Sequence, residues 1–274
     1  MAQSHNVTLI RQDGVRYDFE ELGITLTDLT MRTPEAELLY EQVADHMVDA
    51  GTTLKGRKLS ASFFFSAADS LDFPLLVNDI FAMLSSKQAF YLVDGREPGK
   101  RMLVKAEGFE VTQHTPTNGE FSVTFASAGA YRESVSTTLG TFDFDSELWQ
   151  IGQGLSVEDE QHDYTFSTST FSVFNAGDVT VDPRYMPLTI TFTGASTNLQ
   201  IVNNTTGETW QYTGTTVAGN TIVLDGTKAL KNGSSVFGAT NRKVLTLAPG
   251  ANSFTMTGAS GTYSISFEFR YYYV

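Results

Sequence analysis

The sequence predicts a mainly β protein in two parts. An N-terminal α+β domain, with one helix packed on antiparallel sheet, is followed by a C-terminal β-sandwich or jelly roll. Three observations carry this reading. One strong amphipathic helix pattern lies at 72–86, and none follows it. Turn signals recur through the second half at roughly 8–12 residues, the spacing of an antiparallel sandwich. Near residue 145 the texture changes, and Gly, Thr, Ser and Asn become abundant. The domains are therefore drawn as 1–145 and 146–274.

The first part reads in order as follows. Val7–Ile10 and Val15–Phe19 flank Gln12-Asp13-Gly14, a hairpin signal. Ile24, Leu26, Asp28 and Thr30 share one face of a strand, with Leu29 and Met31 on the other. In Glu35–Ala50 the residues Leu38, Leu39, Val43 and Met47 have nearly helical spacing, and Gly51 follows as a stop. That pattern favours a helix over the rival reading, two strands around an Asp49-Ala50-Gly51 turn. Lys58–Phe65 is apolar and continuous enough to be a buried strand. In Asp72–Ser86, Phe73, Leu76, Val77, Ile80, Phe81 and Leu84 form a one-sided stripe that should face a sheet. Ser70 or Asp72 can cap its first turn, where Pro74 is tolerated because the missing N–H has no partner there. Ala89–Val93 and Arg101–Ala106 form a hairpin about a turn at 94–100. Glu107–His114 and Phe121–Ser127 follow, joined by a Pro116–Gly119 turn.

In the second part Tyr164, Phe166, Thr168 and Thr170 share one face. Further strands are expected at Thr189–Phe192, Leu199–Asn203, Glu208–Gln211, Thr221–Asp225, Val244–Leu247, Ser253–Thr257 and Tyr263–Tyr273. The turns between them fall at Thr206-Gly207, Ala218-Gly219-Asn220, Asn232-Gly233, Pro249-Gly250 and Ser260-Gly261. The last strand sets Phe267, Phe269, Tyr271 and Tyr273 on one side, with a partly exposed aromatic end expected.

Composition removes several functions. The 274 residues include no cysteine, which excludes a disulfide scaffold, a thiolate zinc site, an iron–sulfur cluster and a cysteine nucleophile. Asp+Glu is 31 against 18 Lys+Arg, a net charge of −13, and both halves are acidic. Such a chain is poorly suited to gripping nucleic-acid phosphates or anionic membrane surfaces. No apolar run approaches the ~20 residues of a membrane span. Residues 1–11 lack the basic and apolar pattern of a secretory signal, so intracellular synthesis, or export by assembly into something larger, is expected.

No catalytic signature stands out. His5, His46, His114 and His162 are dispersed, with no metal-ligand spacing, and no nucleophile elbow occurs. Gly95–Lys100 superficially resembles a phosphate loop, but it contains Pro98, lies between strands and precedes Arg101, so it reads as a charged turn. The acidic run Glu158, Asp159, Glu160 and Asp163 lacks the calcium-loop spacing and reads as solvated. Asn203, Asn204 and Asn232 begin glycosylation triplets, with nothing to support a secretory context. Trp210 and Tyr212, two apart on one strand face, are the candidate glycan or partner contacts, although core packing is the favoured reading of the pair. No catalytic, metal or cofactor residue is assigned. A glycoside hydrolase with paired carboxylates has no positive signal.

The order of these elements resembles the distal tail proteins of long-tailed (siphovirus-type) bacteriophages, especially those of Gram-positive hosts. The likeness is carried by Gly56-Arg57-Lys58-Leu59-Ser60-Ala61-Ser62-Phe63, the Asp72–Ser86 helix, Phe90-Tyr91-Leu92-Val93, the Glu97-Pro98-Gly99-Lys100 turn, Arg101–Gly108 and Phe121–Phe125. In the second part it is carried by Phe174–Asp178 before Pro187–Ile190, by Ile201–Glu208 and by Leu247–Phe254. The family implies extended strands, not a helix, over Glu35–Ala50. The resemblance implies a non-enzymatic virion protein of the tail tip, assembled in the host cytoplasm. It implies a homohexameric ring built by the first domain, and a galectin-like or carbohydrate-module-like sandwich projecting outward. Its implied partners are the tail tube protein, a tail-tip or tail-associated lysin protein and, in some phages, receptor-binding proteins. An acidic ring would not trap DNA passing through its lumen. A carbohydrate-binding module that recognises a cell-wall glycan through the sandwich is the alternative reading.

Overall fold

A computed structural model describes residues 6–85, 87–142, 148–150, 152–155 and 163–274. The chain divides into two compact units, Met1–Arg132 and Glu133–Tyr273. Both are built almost wholly from antiparallel strands, and the fold class is mainly β.

The first unit contains β1 (Val7–Arg11), β2 (Arg16–Asp18), β3 (Ile24–Met31), β4 (Ala36–Val43), β5 (His46–Leu54), β6 (Lys58–Ser66), α1 (Phe73–Met83), β7 (Phe90–Asp94), β8 (Lys100–Ala106), β9 (Val111–Gln113) and β10 (Asn118–Ala126). Neighbouring strands run in the order β2-β1-β7-β8-β10-β6-β3, with β9 beside β10. Alternation decides which side is buried. Leu59, Ala61, Phe63 and Phe65 of β6 point inward, while Ser60 and Ser62 do not. The same holds for Phe121, Val123 and Phe125 of β10. Stacked rings knit the two strands together, Phe63 to Phe121 at 4.9 Å, and tie β6 to α1, Phe65 to Phe73 at 5.4 Å. Gly119 is required by this packing, since a Cβ there would come within 2.7 Å of the Phe65 ring.

Helix α1 lies within the predicted span and faces this core through Phe73, Ile80 and Met83, with Leu84 just beyond its end. Asp72 is the N-cap residue without a side-chain capping bond; the Asp69 carboxylate instead accepts from the Leu71 and Asp72 N–H groups. At the other end the Arg11 guanidinium donates to the Ala82 and Met83 carbonyls at 2.8 and 2.7 Å. A cation there complements the negative end of the helix dipole. Phe81, expected in the stripe, is half-exposed and packs on Phe109.

Two expectations are corrected. Residues 36–54 form a hairpin, not a helix, and its two-residue loop is Ala44-Asp45, with Ala44 at φ 55. Gly51 ends no helix and lies within β5. It sits at φ 122 beside the register shift between Leu39 and Tyr40. The helical spacing of Leu38, Leu39, Val43 and Met47 was misleading because all four are exposed, so no buried stripe selects a helix. In β3 a register shift between Leu26 and Asp28 changes the phase of the alternation. Ile24, Leu26, Leu29 and Met31 therefore all pack on the core, instead of dividing between faces.

A short strand, β11 (Arg132–Ser134), leads into the second unit. There follow β12 (Thr165–Phe166), β13 (Thr170–Asn175), β14 (Leu188–Asn203), β15 (Glu208–Gln211), β16 (Thr215–Thr216), β17 (Thr221–Asp225), β18 (Lys228–Lys231), β19 (Ser234–Ser235), β20 (Gly250–Phe269) and β21 (Tyr272–Tyr273). Segments expected as separate strands are fused: 189–192 with 199–203 in β14, and 253–257 with most of 263–273 in β20. Val244–Leu247 makes only an isolated bridge, Val181 to Leu247. The start of β14 pairs with β17 and the end of β20, whereas the end of β14 pairs with β15 and the start of β20. Register shifts at Gly194/Ala195 and Ser196/Gln200 separate the two regions. One pair of long strands thus supplies both layers of the sandwich.

Phe166, Phe171, Phe254 and Phe267 fill the space between the layers. Polar groups are taken in only when satisfied. The Asn252 amide donates to the Ala248 and Gly250 carbonyls, and its carbonyl oxygen accepts from the Ala248 N–H. Phe267, Phe269, Tyr271, Tyr272 and Tyr273 are all buried, so the expected exposed aromatic end is absent.

Candidate functional site

The hairpin β4–β5 forms a two-stranded sheet of its own, and every residue in it is exposed. Its register places Leu38, Tyr40, Met47 and Leu54 on one face and Leu39, Val43 and Val48 on the other. A lone two-stranded hairpin is marginally stable in water, and apolar surface on both faces adds to its need for cover. The Val15 and Leu22 side chains are also exposed, but singly and among charged neighbours.

At the root of the hairpin lies an open cleft of about 500 Å³. Arg32, Glu35, Lys55, Arg57, Lys58 and Ser127 are among its lining residues. The backbone fixes this place tightly. The Ser127 N–H donates to the Arg57 carbonyl at 2.9 Å, and a Cβ on Gly56 would fall 1.9 Å from the Ser127 carbonyl oxygen. Lys55 pairs with Glu37 at 3.4 Å and Lys58 with Glu107 at 2.6 Å. Arg57 is only 4 % exposed and has no side-chain hydrogen bond or ion pair among the described residues. Burial, and then the like charge of Arg132, hold its guanidinium below the usual arginine range.

Gly95–Lys100 is the charged turn expected of it. Arg96 forks onto Asp94, and Glu97 accepts from both Lys100, at 2.9 Å, and Arg132. Burial alone would raise the Glu97 carboxyl; the bonds from Lys100 and Arg132 outweigh it and hold the group below the ordinary glutamate value. Because these cations already serve Glu97, the turn is not a phosphate cradle.

The other sequence candidates are quickly placed. Trp210 and Tyr212 do share a face, but it is the inner one, at 2 % and 6 % exposed. Neither presents a ring to a sugar or a partner. Among the described residues of this unit the exposed aromatic side chains are Tyr185 and Phe237, which lie in connections and not in strands, where alternation gives no signal. Asn203 is fully buried, donates to the Thr246 carbonyl and is closed to glycosylation. His46 is exposed, and His114 lies 3.1 Å from Glu120. His5, His162, Glu158, Asp159 and Glu160 lie outside the described residues. Among those described, no cluster of three or more His, Asp or Glu could hold a metal, and no helix is long and apolar enough to cross a membrane. The cleft escaped the sequence reading because nothing in Gly56-Arg57-Lys58 marks the middle residue as buried.

Comparisons with known proteins bear on both units. Residues 44–127 match the phage tail protein RIFT-related domain, and residues 176–271 match the C-terminal domain of the siphovirus-type tail component. No curated protein matches the sequence. Among solved structures the chain is similar to SPP1 Dit (gp 19.1), described as a paradigm of the hub adsorption apparatus in Gram-positive infecting phages. The TM-score is 0.68 at 12% identity, covering 97% of this chain and 99% of that one. A chain of the phage P2 baseplate in its activated conformation with Ca matches at a TM-score of 0.49 and 9% identity, covering 97% of each. With two tail-component domains matched in order over well over half of its residues, the chain belongs to the siphovirus distal tail protein family, a family of structural tail components.

Proposed function

We propose that this chain is the repeated subunit of a homohexameric ring at the distal end of a phage tail, joining the tail tube to the tail-tip or baseplate proteins. The observation that carries this reading is the β4–β5 hairpin, which exposes apolar side chains on both faces and pairs with no other strand. Such an element gains its cover from a neighbour. A contact between unlike surfaces of identical subunits closes into a ring when its rotation permits. The family's place in the tail, and the hub described for SPP1 Dit, support the same reading.

In this reading the first unit forms the ring and the second faces outward, toward a tail-associated lysin or receptor-binding protein. The protein acts by shape, catalyses nothing and is assembled in the host cytoplasm into the virion tail tip. The net charge of −13 keeps the ring from binding DNA that passes through it. Electron microscopy with mass measurement on the purified chain tests the proposal. Six-membered rings are expected, alone or on addition of the tail tube protein. A monomer under both conditions refutes it.

A further inference from the structure

We propose that the basic cleft at the hairpin root is a carboxylate-binding site, filled in the assembled tail by a second copy of this chain whose hairpin tip delivers the acidic side chain. The inference rests on the assembly reading above and assigns its contact.

Arg57 is the starting point. A guanidinium removed from water needs a counter-charge, and a buried one without a partner is strongly unfavourable. Arg57 is only 4% exposed, yet its side chain makes no hydrogen bond or ion pair with any described residue, and its Nε is fully enclosed. Its neighbours offer no relief: Glu35, the carboxylate among the cleft's lining residues, makes no ion pair or side-chain hydrogen bond with it. Arg132 adds like charge and is committed to Glu97, while Lys55 and Lys58 hold Glu37 and Glu107. Arg32 at the same cleft also lacks a side-chain partner among the described residues. Two unpaired guanidinium groups beside an opening of about 500 Å³ match a planar carboxylate, which accepts paired N–H bonds.

The hairpin supplies the complement. Glu41 lies near its tip and Asp45 in its loop; both are exposed and unpartnered among the described residues. They cannot serve their own cleft. Strands of this length extend ~27 Å at ~3.4 Å per residue, so tip and root are a full strand apart. Tip-to-root contact between copies is heterologous, the type that propagates head to tail and closes a ring. It would also cover the apolar faces of the hairpin.

The test compares the concentration at half-assembly, by mass photometry, for the wild type, Arg57→Met and the double variant Glu41→Gln/Asp45→Asn. Roughly tenfold weaker assembly is expected for each variant, as for loss of one desolvated charge pair. The dilute Arg57→Met monomer should melt no lower than the wild type, because an uncompensated charge has been removed. If Arg57→Met instead fails to fold, the double variant decides, since it alters only exposed side chains. A wild type that assembles together with a double variant that assembles equally well overturns the proposal and leaves the ring reading intact. A wild type that never assembles overturns both.

Discussion

The rings of Phe254 and Phe267 lie 5.0 Å apart although both belong to β20. An extended strand would hold residues so spaced roughly 40 Å apart at ~3.3 Å per residue. The strand therefore folds back on itself between them, and the fold-back makes two sandwich layers from one strand. Gly258 at φ 84 and Gly261 at φ 67 lie in that stretch.

Gly258→Ala should be severe. The new Cβ would fall 2.5 Å from the Thr197 carbonyl oxygen and 2.7 Å from that of Asn198, in a backbone conformation that L residues rarely adopt. Denaturant unfolding is expected to show a loss of about 2–4 kcal/mol from strain and overpacking together. An unchanged midpoint would mean that the bend tolerates a side chain.

Tyr164 and Tyr271 form a buried hydroxyl pair at 2.6 Å, and Tyr164 donates onward to the Phe174 carbonyl at 2.9 Å. Tyr271 thus donates to Tyr164. Tyr271→Phe removes one donor, at about 1 kcal/mol, whereas Tyr164→Phe also strands the Tyr271 hydroxyl and should cost about 1–3 kcal/mol. Burial pushes Tyr164 up to about 12, with the Tyr271 bond acting the other way, and burial raises Tyr271 as well. Both folded values exceed the unfolded value near 10, so this stability is complete below about pH 10 and is lost as pH rises beyond it. Absorbance of ionised tyrosine should show two groups titrating only with unfolding; their titration in the folded state would contradict the pairing.

Glu97 gives the opposite sign. Its folded value is depressed, so its contribution is complete above the unfolded value near 4.3 and is lost as pH falls through the lowered one. Glu97→Gln should cost about 1–2 kcal/mol at pH 7, because Arg132 and Lys100 lose their carboxylate. It should also flatten the acid limb of the stability curve, measured as melting temperature from pH 6 to 3. An equally steep limb in the variant would assign the acid sensitivity elsewhere.

The hairpin faces should matter to assembly and not to folding. Leu39→Ser/Val48→Ser alters two exposed side chains on one face, so the melting temperature should stay within about 0.5 kcal/mol of equivalent stability. Ring formation is expected to weaken. Rings of undiminished stability would show that this face is not covered by a neighbour.

Where a segment meets a core of its own chain in unbroken register, the sequence by itself was enough. The α1 stripe, the alternation in β6 and β10, and the Asn232-Gly233 turn, with φ 49 and 80, follow from periodicities imposed by a buried face or a steric demand. Tertiary structure decided the rest. Residues 36–54 carry apolar side chains that no part of the same chain buries, so their spacing reports no helix or strand period. A shift after Leu26 moved the core face of β3 by one residue, and folding back fused expected strands into β14 and β20. Trp210 and Arg57 show the limit most plainly: spacing leaves Trp210 open between a contact face and core packing and says nothing of the burial of Arg57, and both are enclosed. Burial is set by which distant segments close over a residue, and local spacing does not contain that information.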